Sequence, residues 1–439
     1  MPLKKVLIVS PHFPPLNAPD MQRVRMSLPY YPEHGWEPVV LAVAARYQAG
    51  VFEPALAQTV PGQTRIEWSR AFSPAVTRRF GFGSLGLRSW FHLWRRGRQL
   101  LGGEHFDLVF FSTTQFTCVT LGPLWKRRFG VPYVVDVQDP WRTDYYERPG
   151  SRRPPGGWKY QFARLEARLF EGWAFGRAAA VMSVSPRYLE DLRGRYPGFE
   201  RIPSAVIPFG ASAADLEHAA RLAEVPYRFD RDGDRIHLLY TGASGPVMPH
   251  ALNVLFAALR TFRERQPAAA RRLRFHFVGT SYAPAGRARP SVLPIAAAHG
   301  VADQVSELSH RIGLLESLRV QQEADVLLVL GSSDLAYSPS KIYNYYLTRR
   351  PILALVFRDS VMERVLDELA CACIVRFRER EPKDEAHAAL ETFFGLLLAG
   401  RAADTQPTRN EAAFRAGYLA AELTRRQCEL FARALLPPP

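Results

Sequence analysis

Apolar residues in this chain come in continuous runs rather than in alternation. VLIVS (Val6–Ser10), EPVVLAV (Glu37–Val43), DLVFFS (Asp107–Ser112) and YVVDV (Tyr133–Val137) are short and bounded by polar or turn-forming residues. Val181–Val184 and Ala205–Ile207 continue the series, and helical patterns fill the intervals, the first over about Asp20–His34. Strands that do not alternate, separated by helices, predict a parallel sheet covered on both faces.

The rhythm breaks at residues 210–234, which are charged and poor in large apolar side chains and read as a linker. It resumes at Ile236 with IHLLYTG, a helix over about Leu252–Gln266, and LRFHFVGT (Leu273–Thr280). A helix around Ser291–His299, the strand-like VSEL (Val305–Leu308) and a helix over Leu314–Glu323 follow. Two more apolar runs, VLLVL from Val326 and ILALV from Ile352, precede a helix near Lys383–Leu398 and a last one over Glu411–Leu435. The expected organisation is an α/β domain over residues 1–209, the linker 210–234, a second α/β domain over 235–405, and a helical segment 406–439 packed back on the first domain. Doubly wound sheets bind ligands at the carboxyl ends of their strands, so a cleft between two such domains is the expected site.

Length agrees, because 439 residues exceed what one core organises. Charge narrows the partners. Lys and Arg number 57 against 42 Asp and Glu, a formal +15, which favours phosphorylated ligands, acidic membrane surfaces or nucleic acid. Four cysteines (Cys118, Cys371, Cys373, Cys428) with no CxxC make neither a disulfide framework nor a zinc site, so a reducing, cytoplasmic setting is expected. The N-terminal apolar run is too short for a signal peptide and reads as the first strand. No apolar run reaches the ~18 residues that a membrane span needs, so any membrane contact is expected to be peripheral, on the inner face of the plasma membrane.

The strongest chemical signal is VLLVLGSSDLAYSPSKIYNYYLTRRPILAL, from Val326. A buried strand stops at a hydroxyl-rich loop, and Lys341 opens an aromatic helix. Free N–H groups and the helix dipole converge there with the lysine charge, beside Ser338 and Ser340, as a diphosphate site requires. A second small-residue loop, YTGASG with Gly242 and Ser244, lies between a strand and a helix in the same half. Gly279, closing FHFVG, reads as a tight turn or as room for a base edge.

In the first half, YVVDVQDPW places Asp136 and Asp139 at the end of a strand. Either carboxylate can accept a proton or bind a sugar hydroxyl; Asp139 can equally cap its loop. Two oxygen ligands alone do not argue for a metal, and none is expected. The first loop, SPHFPPLNAPDMQRVR, offers His12, Asn17, Asp20 and Arg23. Arg23 suits a phosphate, whereas His12 as a strand-end hydrogen-bonder and Asp20 as a helix cap are the ordinary roles.

Residues 68–103 contain no acid, and their arginines, including Arg78 and Arg79, are interleaved with Phe and Trp. From Leu87 the spacing is helical. Leu87, Trp90, Phe91, Trp94 and Leu101 share one side, while Arg88, His92, Arg95, Arg96 and Gln99 share the other. Such a helix either rests on an anionic leaflet or packs its aromatics inward under a solvated basic face.

VLIVSPHFPPLNAPDMQRV, PYVVDVQDPW and SPSKIYNYYLTRRPILAL together resemble family 4 glycosyltransferases, in a branch acting in cell-surface polysaccharide assembly. The resemblance implies a GT-B fold of two Rossmann-like domains, with the donor nucleotide on the second, the acceptor on the first and no essential metal. It implies that Lys341, with Ser338 and Ser340, binds the donor diphosphate and that Asn344 takes the place of a ribose-binding glutamate. Ala336 stands where an earlier glutamate is usual, so the Glu-x7-Glu signature is absent. Gln138 stands where many members carry histidine, which leaves Asp139 as the acceptor-side candidate. GASGPVMPHAL lacks the usual Arg and Lys, so Arg311 is the substitute considered for the donor.

The expected function is thus transfer of a sugar from a nucleoside diphosphate to a surface-polysaccharide or lipid-linked acceptor, with retention, by a hexosyltransferase that needs no cofactor besides its nucleotide-sugar donor. A sugar-nucleotide epimerase, a nucleic-acid-binding protein and a catalytically inactive relative are the competing readings. Nucleic acid is the poorer partner, because the arginines cluster with Trp and Phe at amphipathic spacing and no recognised nucleic-acid motif is present.

Overall fold

Apolar runs flanked by Gly, Pro and polar residues become strands that are sealed on both faces. In the computed structural model, residues 2–77, 83–142, 157–244, 248–281, 283, 286–335, 340–379 and 381–436 are described. The chain divides into two units, Met1–Phe209 with Leu419–Pro439, and Gly210–Tyr418.

Unit 1 holds β1 (Lys4–Val9), β2 (Trp36–Val43), β3 (Arg65–Ser69), β4 (Leu108–Ser112), β5 (Tyr133–Val137), β6 (Ala180–Ser183) and β7 (Ser204–Val206). They form one parallel sheet in the order β3-β2-β1-β4-β5-β6-β7. Strand order reverses between β1 and β4, which pair with Val6 opposite Leu108. Leu7, Val9 and Val109 face one core, and Val6, Ile8 and Phe110 the other. The helix Ala420–Ala434 closes the second core, where Phe431 meets the rings of Tyr31, Trp36 and Phe110.

Unit 2 holds β8 (Ile236–Thr241), β9 (Leu273–Val278), β10 (Val305–Leu308), β11 (Val326–Leu330), β12 (Ile352–Phe357) and β13 (Cys373–Phe377), again parallel, in the order β10-β9-β8-β11-β12-β13. Here the order reverses between β8 and β11. The fold class is α/β, two Rossmann-like doubly wound parallel sheets.

Several expected elements differ. The first helix is short: Pro19–Met21 and Pro32–His34 are 3-10 turns, and the α-helix is only Gln22–Ser27. Pro29 and Pro32 remove the N–H donors a longer helix needs. β3 and β13 were not expected; both are edge strands, half-exposed, so RIEWS and CIVRF lack the wholly apolar signature of the inner strands. The stretch read as a linker contains the helix Ala213–Ala220, packed on Leu314–Glu323 through Gln322 Nε2 to Leu216 O at 3.1 Å. The last helix is two. Leu419 is extended, and the preceding Glu411–Tyr418 belongs to unit 2, where Phe414 stacks on Tyr346 at 4.0 Å and Tyr418 on Tyr343 at 4.3 Å.

Candidate functional site

In unit 2 the chemistry gathers where strand order reverses. β8 ends at Thr241, and Gly242 follows with φ +107°, a region that disfavours side chains. A Cβ there would lie 3.0 Å from Lys341 Nζ. Lys341 opens the helix Lys341–Thr348, which follows β11. That helix is fastened to β8 by Tyr345, whose hydroxyl accepts from Thr241 N at 3.0 Å and meets Thr241 Oγ1 at 3.1 Å. Gln321 Nε2 donates to the same threonine hydroxyl at 3.0 Å. The lysine therefore has a fixed position under a bare glycine backbone.

Its ammonium lies 3.8 Å from the centroid of the Tyr240 ring. Although the residue as a whole is half-buried, burial of its amine pushes the pKa down to about 7. No carboxylate pairs with it among the described residues. An arriving anion gives an amine so placed a charge partner and raises its pKa, so that it takes up a proton from solvent.

The other donor-side candidates divide. Asn344 is half-buried one turn after Lys341, and Ser340 is the exposed residue before the helix. Ser338, like Ala336, lies outside the described residues. Ser244 is buried and bonded to Ser291 at 2.5 Å, while its N–H donates to Thr280 O, so it shapes the loop instead of facing a ligand. Gly279 makes a turn at φ +76°, its N–H held by Leu308 O. Arg311 is half-buried in the segment between β10 and the helix Leu314–Glu323.

In unit 1 the loops after β1, β4 and β5 meet. His12 Nδ1 lies 2.8 Å from Asp20 Oδ1. Asp20 Oδ2 accepts from Thr113 Oγ1 at 3.0 Å and from Thr114 N and Oγ1 at 3.1 and 3.2 Å. Burial works to raise the Asp20 pKa, but His12 and the threonine donors outweigh it and hold the carboxyl below its usual value. A carboxylate only accepts, so Nδ1 donates and Nε2 of His12 is the nitrogen left to take a proton. Neither this dyad nor the Thr113–Thr114 clasp was foreseen; the only trace in sequence is the TT that follows DLVFFS.

Asp139 stands open to solvent at the surface, yet neighbouring protein thins its hydration and, with the Asp20 charge, raises its pKa. It keeps its place as a candidate. Three other expected ligands do not. Arg23 donates to Asp136 Oδ2 at 2.8 Å and to Ile207 O at 2.7 Å, and both partners of the ion pair are almost wholly buried. Asp136 also accepts from Ser112 Oγ and Gln138 Nε2, each at 2.8 Å. Arg23 and Asp136 are thus a structural pair, facing neither phosphate nor sugar. Asn17 is buried and donates to Glu53 at 3.1 Å, pinning the first loop.

Beside the dyad lies a cavity of about 390 Å³, lined by Thr114, Gln115, Phe116, Trp141, Arg142, Glu166 and others. Trp141 stacks on Phe116 at 5.6 Å and 13°. Glu166 is raised by burial, against the pull of its bond from Thr117 Oγ1 at 2.6 Å. An aromatic platform edged with amide, guanidinium and carboxyl groups suits a sugar-sized polar ligand.

The basic aromatic helix is Leu85–Gly103; its fully buried stripe is Leu85, Ser89, Leu93, Gly97, Leu100 and Leu101, with Trp90 and Trp94 half-buried against the edge of the same core. Trp125 explains the register: a Cβ at Gly97 would fall 2.2 Å from its ring. Arg88 is buried and donates to Phe72 O at 2.8 Å and Tyr47 O at 3.0 Å, so it serves no surface. Arg96 is paired with Glu67, and Trp90 donates to Thr120 at 2.8 Å. Phe91 and Arg95 remain exposed and Trp94 half-exposed; Arg78 and Arg79 lie outside the described residues. No described helix is long and apolar enough to cross a membrane.

Residues 22–210 match the family model described as glycosyl transferase 4-like domain. No curated protein sequence matches the chain. Among solved structures, the HepE protein of Anabaena in complex with UDP-glucose is similar with TM-score 0.56 at 13% identity, over 98% of this chain and 99% of that one. The UDP-forming α,α-trehalose-phosphate synthase of Burkholderia xenovorans has TM-score 0.59 at 12% identity, over 99% and 100%. A putative UDP-N-acetylglucosamine 2-epimerase from Listeria monocytogenes has TM-score 0.51 at 13% identity, over 97% and 95%. With these folds, these switch points and that match over residues 22–210, the chain is a GT-B fold protein that resembles the family 4 glycosyltransferases.

Proposed function

We propose that this protein transfers a sugar from a nucleoside diphosphate to an acceptor hydroxyl, with unit 2 holding the donor and unit 1 the acceptor. The observation that carries the reading is Lys341: an enclosed amine at the switch point of a doubly wound sheet, under Gly242 and without a carboxylate partner among the described residues. As the glycosidic bond breaks, negative charge builds on the departing diphosphate, and a fixed cation there stabilises that state more than the ground state. The structure of HepE with UDP-glucose makes UDP the nucleotide to try first.

The acceptor we propose is a surface glycan or lipid-linked sugar seated in the cavity of Trp141 and Phe116. Transfer is favoured over epimerisation because an epimerase has no use for that second cavity. We propose retention on the family resemblance. Under retention the departing phosphate oxygen can take the acceptor proton, so Asp139→Asn and His12→Ala should each lower the rate less than Lys341→Ala. Under inversion either base substitution should nearly abolish turnover, since a positioned base contributes about 10²–10⁴-fold. Calorimetry with UDP, GDP and dTDP tests the donor half. Binding by one of them, weakened about ten- to a hundredfold in Lys341→Ala, is the expected result; no binding, or unchanged binding in that variant, ends the proposal.

A further inference from the structure

The helix Trp158–Phe175 is apolar on two opposite sides. Its inner side buries Ala167, Ala174 and Phe175. At about 100° per residue, Phe162, Leu165 and Leu169 project from the opposite side. They are 45%, 54% and 61% exposed, and Phe170 beside them is 40% exposed. A helix on a globular surface carries polar residues there. Single exposed leucines need no explanation, but four large apolar side chains along one helix do.

Among the described residues, the exposed charges beside this strip are basic. Among the helix's acids, Glu166 accepts from Thr117, and Glu171 is buried with Arg195 and Tyr196. Outward, Arg168 is exposed on the flank. Past the C-terminal end Arg177 is exposed, and its carbonyl accepts from Lys126 Nζ at 3.0 Å. Lys126 brings Arg127 and Arg128 of the helix Leu121–Phe129, both exposed.

We infer that this helix seats unit 1 on an anionic bilayer surface, with Leu165 and Leu169 among the upper acyl carbons and the basic residues at the headgroups. An apolar strip with a cationic rim matches an anionic leaflet on both counts. A second copy of this chain matches on one only, because a two-fold contact through the strip would bring the same arginines together. Phe162 also lines the cavity of Trp141 and Phe116, so that cavity opens at the edge of the strip. On the proposed transfer reaction, a lipid-anchored acceptor would enter it from the membrane; the membrane seat itself does not depend on that reaction.

The test is flotation of the full chain with vesicles of phosphatidylcholine alone or mixed with phosphatidylglycerol. Binding to the mixed vesicles and little to the neutral ones is expected. Leu165→Gln with Leu169→Gln should weaken it on the order of a hundredfold, from two leucine side chains no longer buried. Leu3→Gln, an apolar site 45% exposed elsewhere on unit 1, should change nothing. Arg168→Glu with Arg177→Glu should abolish the preference for phosphatidylglycerol. Unchanged flotation of the leucine variant overturns the inference, as does equal binding to neutral vesicles. A native dimer that the leucine substitutions convert to a monomer, with no flotation, assigns the strip to self-association instead. Calorimetry with UDP on the same leucine variant separates the two proposals: lost flotation with intact nucleotide binding supports the membrane seat, and failed nucleotide binding in the native chain leaves flotation to stand by itself.

Discussion

Arg23 and Asp136, beside the switch point of the first sheet, are 4% and 0% exposed and bonded at 2.8 Å, with Gln138 and Ser112 donating to the same carboxylate oxygen. Lys341, at the switch point of the second, has only the Tyr240 ring as an attractive partner among the described residues. Both are cations at the ligand end of a parallel sheet. The first is neutralised by its own fold and so contributes structure. The second keeps its charge requirement unmet, which favours the amine over the ammonium until a ligand supplies the anion. A basic residue at a switch point is therefore a ligand group only when the fold has not already paired it.

The comparison is broken most severely at the paired cation. Arg23→Ala leaves Asp136 buried and uncompensated, a change that costs about 3–5 kcal/mol. Urea unfolding should show that loss. Replacing both partners by apolar residues of similar volume should recover most of it, since buried pairs and well-packed apolar replacements are often close in stability. If Arg23→Ala unfolds at the same urea concentration as the native chain, the pair is not structural and Arg23 returns as a phosphate candidate.

Lys341→Ala should do the reverse: stability held, because a desolvated amine is removed, and nucleotide affinity lowered about ten- to a hundredfold, the range of one charged hydrogen bond. Calorimetry and thermal melting on the same samples read both. A variant that melts earlier without losing affinity would make Lys341 a packing residue.

Between these lies the pH dependence. The free amine titrates at about 7, and a bound diphosphate raises that value. Affinity is then fully present below about 7 and falls as pH rises above it, by up to about tenfold per unit, until the bound-state value is passed. Affinity measured across neutral pH should show this fall in the native chain and none in Lys341→Ala. A flat profile in the native chain means the amine is not the anion's partner.

Much of this was legible along the chain, and the exceptions have physical causes. The inner strands announced themselves because both faces are buried, so VLIVS and VLLVL carry no alternation. The edge strands RIEWS and CIVRF bury less and were missed. Lys341 was legible because its strand, loop and helix are contiguous. The His12–Asp20 dyad was not, since its geometry depends on Thr113 and Thr114, whose bonds to Asp20 span 93 and 94 residues. The same distance misled the reading of Arg23 and Asp136, which are 113 residues apart and pair only in the folded chain. On the helix Leu85–Gly103 the apolar stripe was centred on Trp90 and Trp94, which only edge the core, because Gly97 and Ser89 look indifferent until Trp125 and the core are placed against them.

The smallest predicted effect concerns how the unpaired cation is held in place. Tyr345 reaches from the lysine's helix to Thr241, the last residue of β8, and its hydroxyl satisfies the Thr241 N–H. Tyr345→Phe keeps the ring and its packing but leaves that donor buried without its partner, at about 1 kcal/mol or somewhat more. The loss should appear as a modest shift in the urea midpoint with an unchanged slope. Because Lys341 lies one turn before Tyr345 on the same helix, nucleotide affinity should fall a few-fold and keep its pH dependence. That pattern separates positioning from charge: Lys341→Ala removes the pH dependence, whereas Tyr345→Phe lowers the whole curve without bending it. A phenylalanine variant with native affinity would show that the helix is held by its aromatic packing on Phe414 and Tyr418 alone.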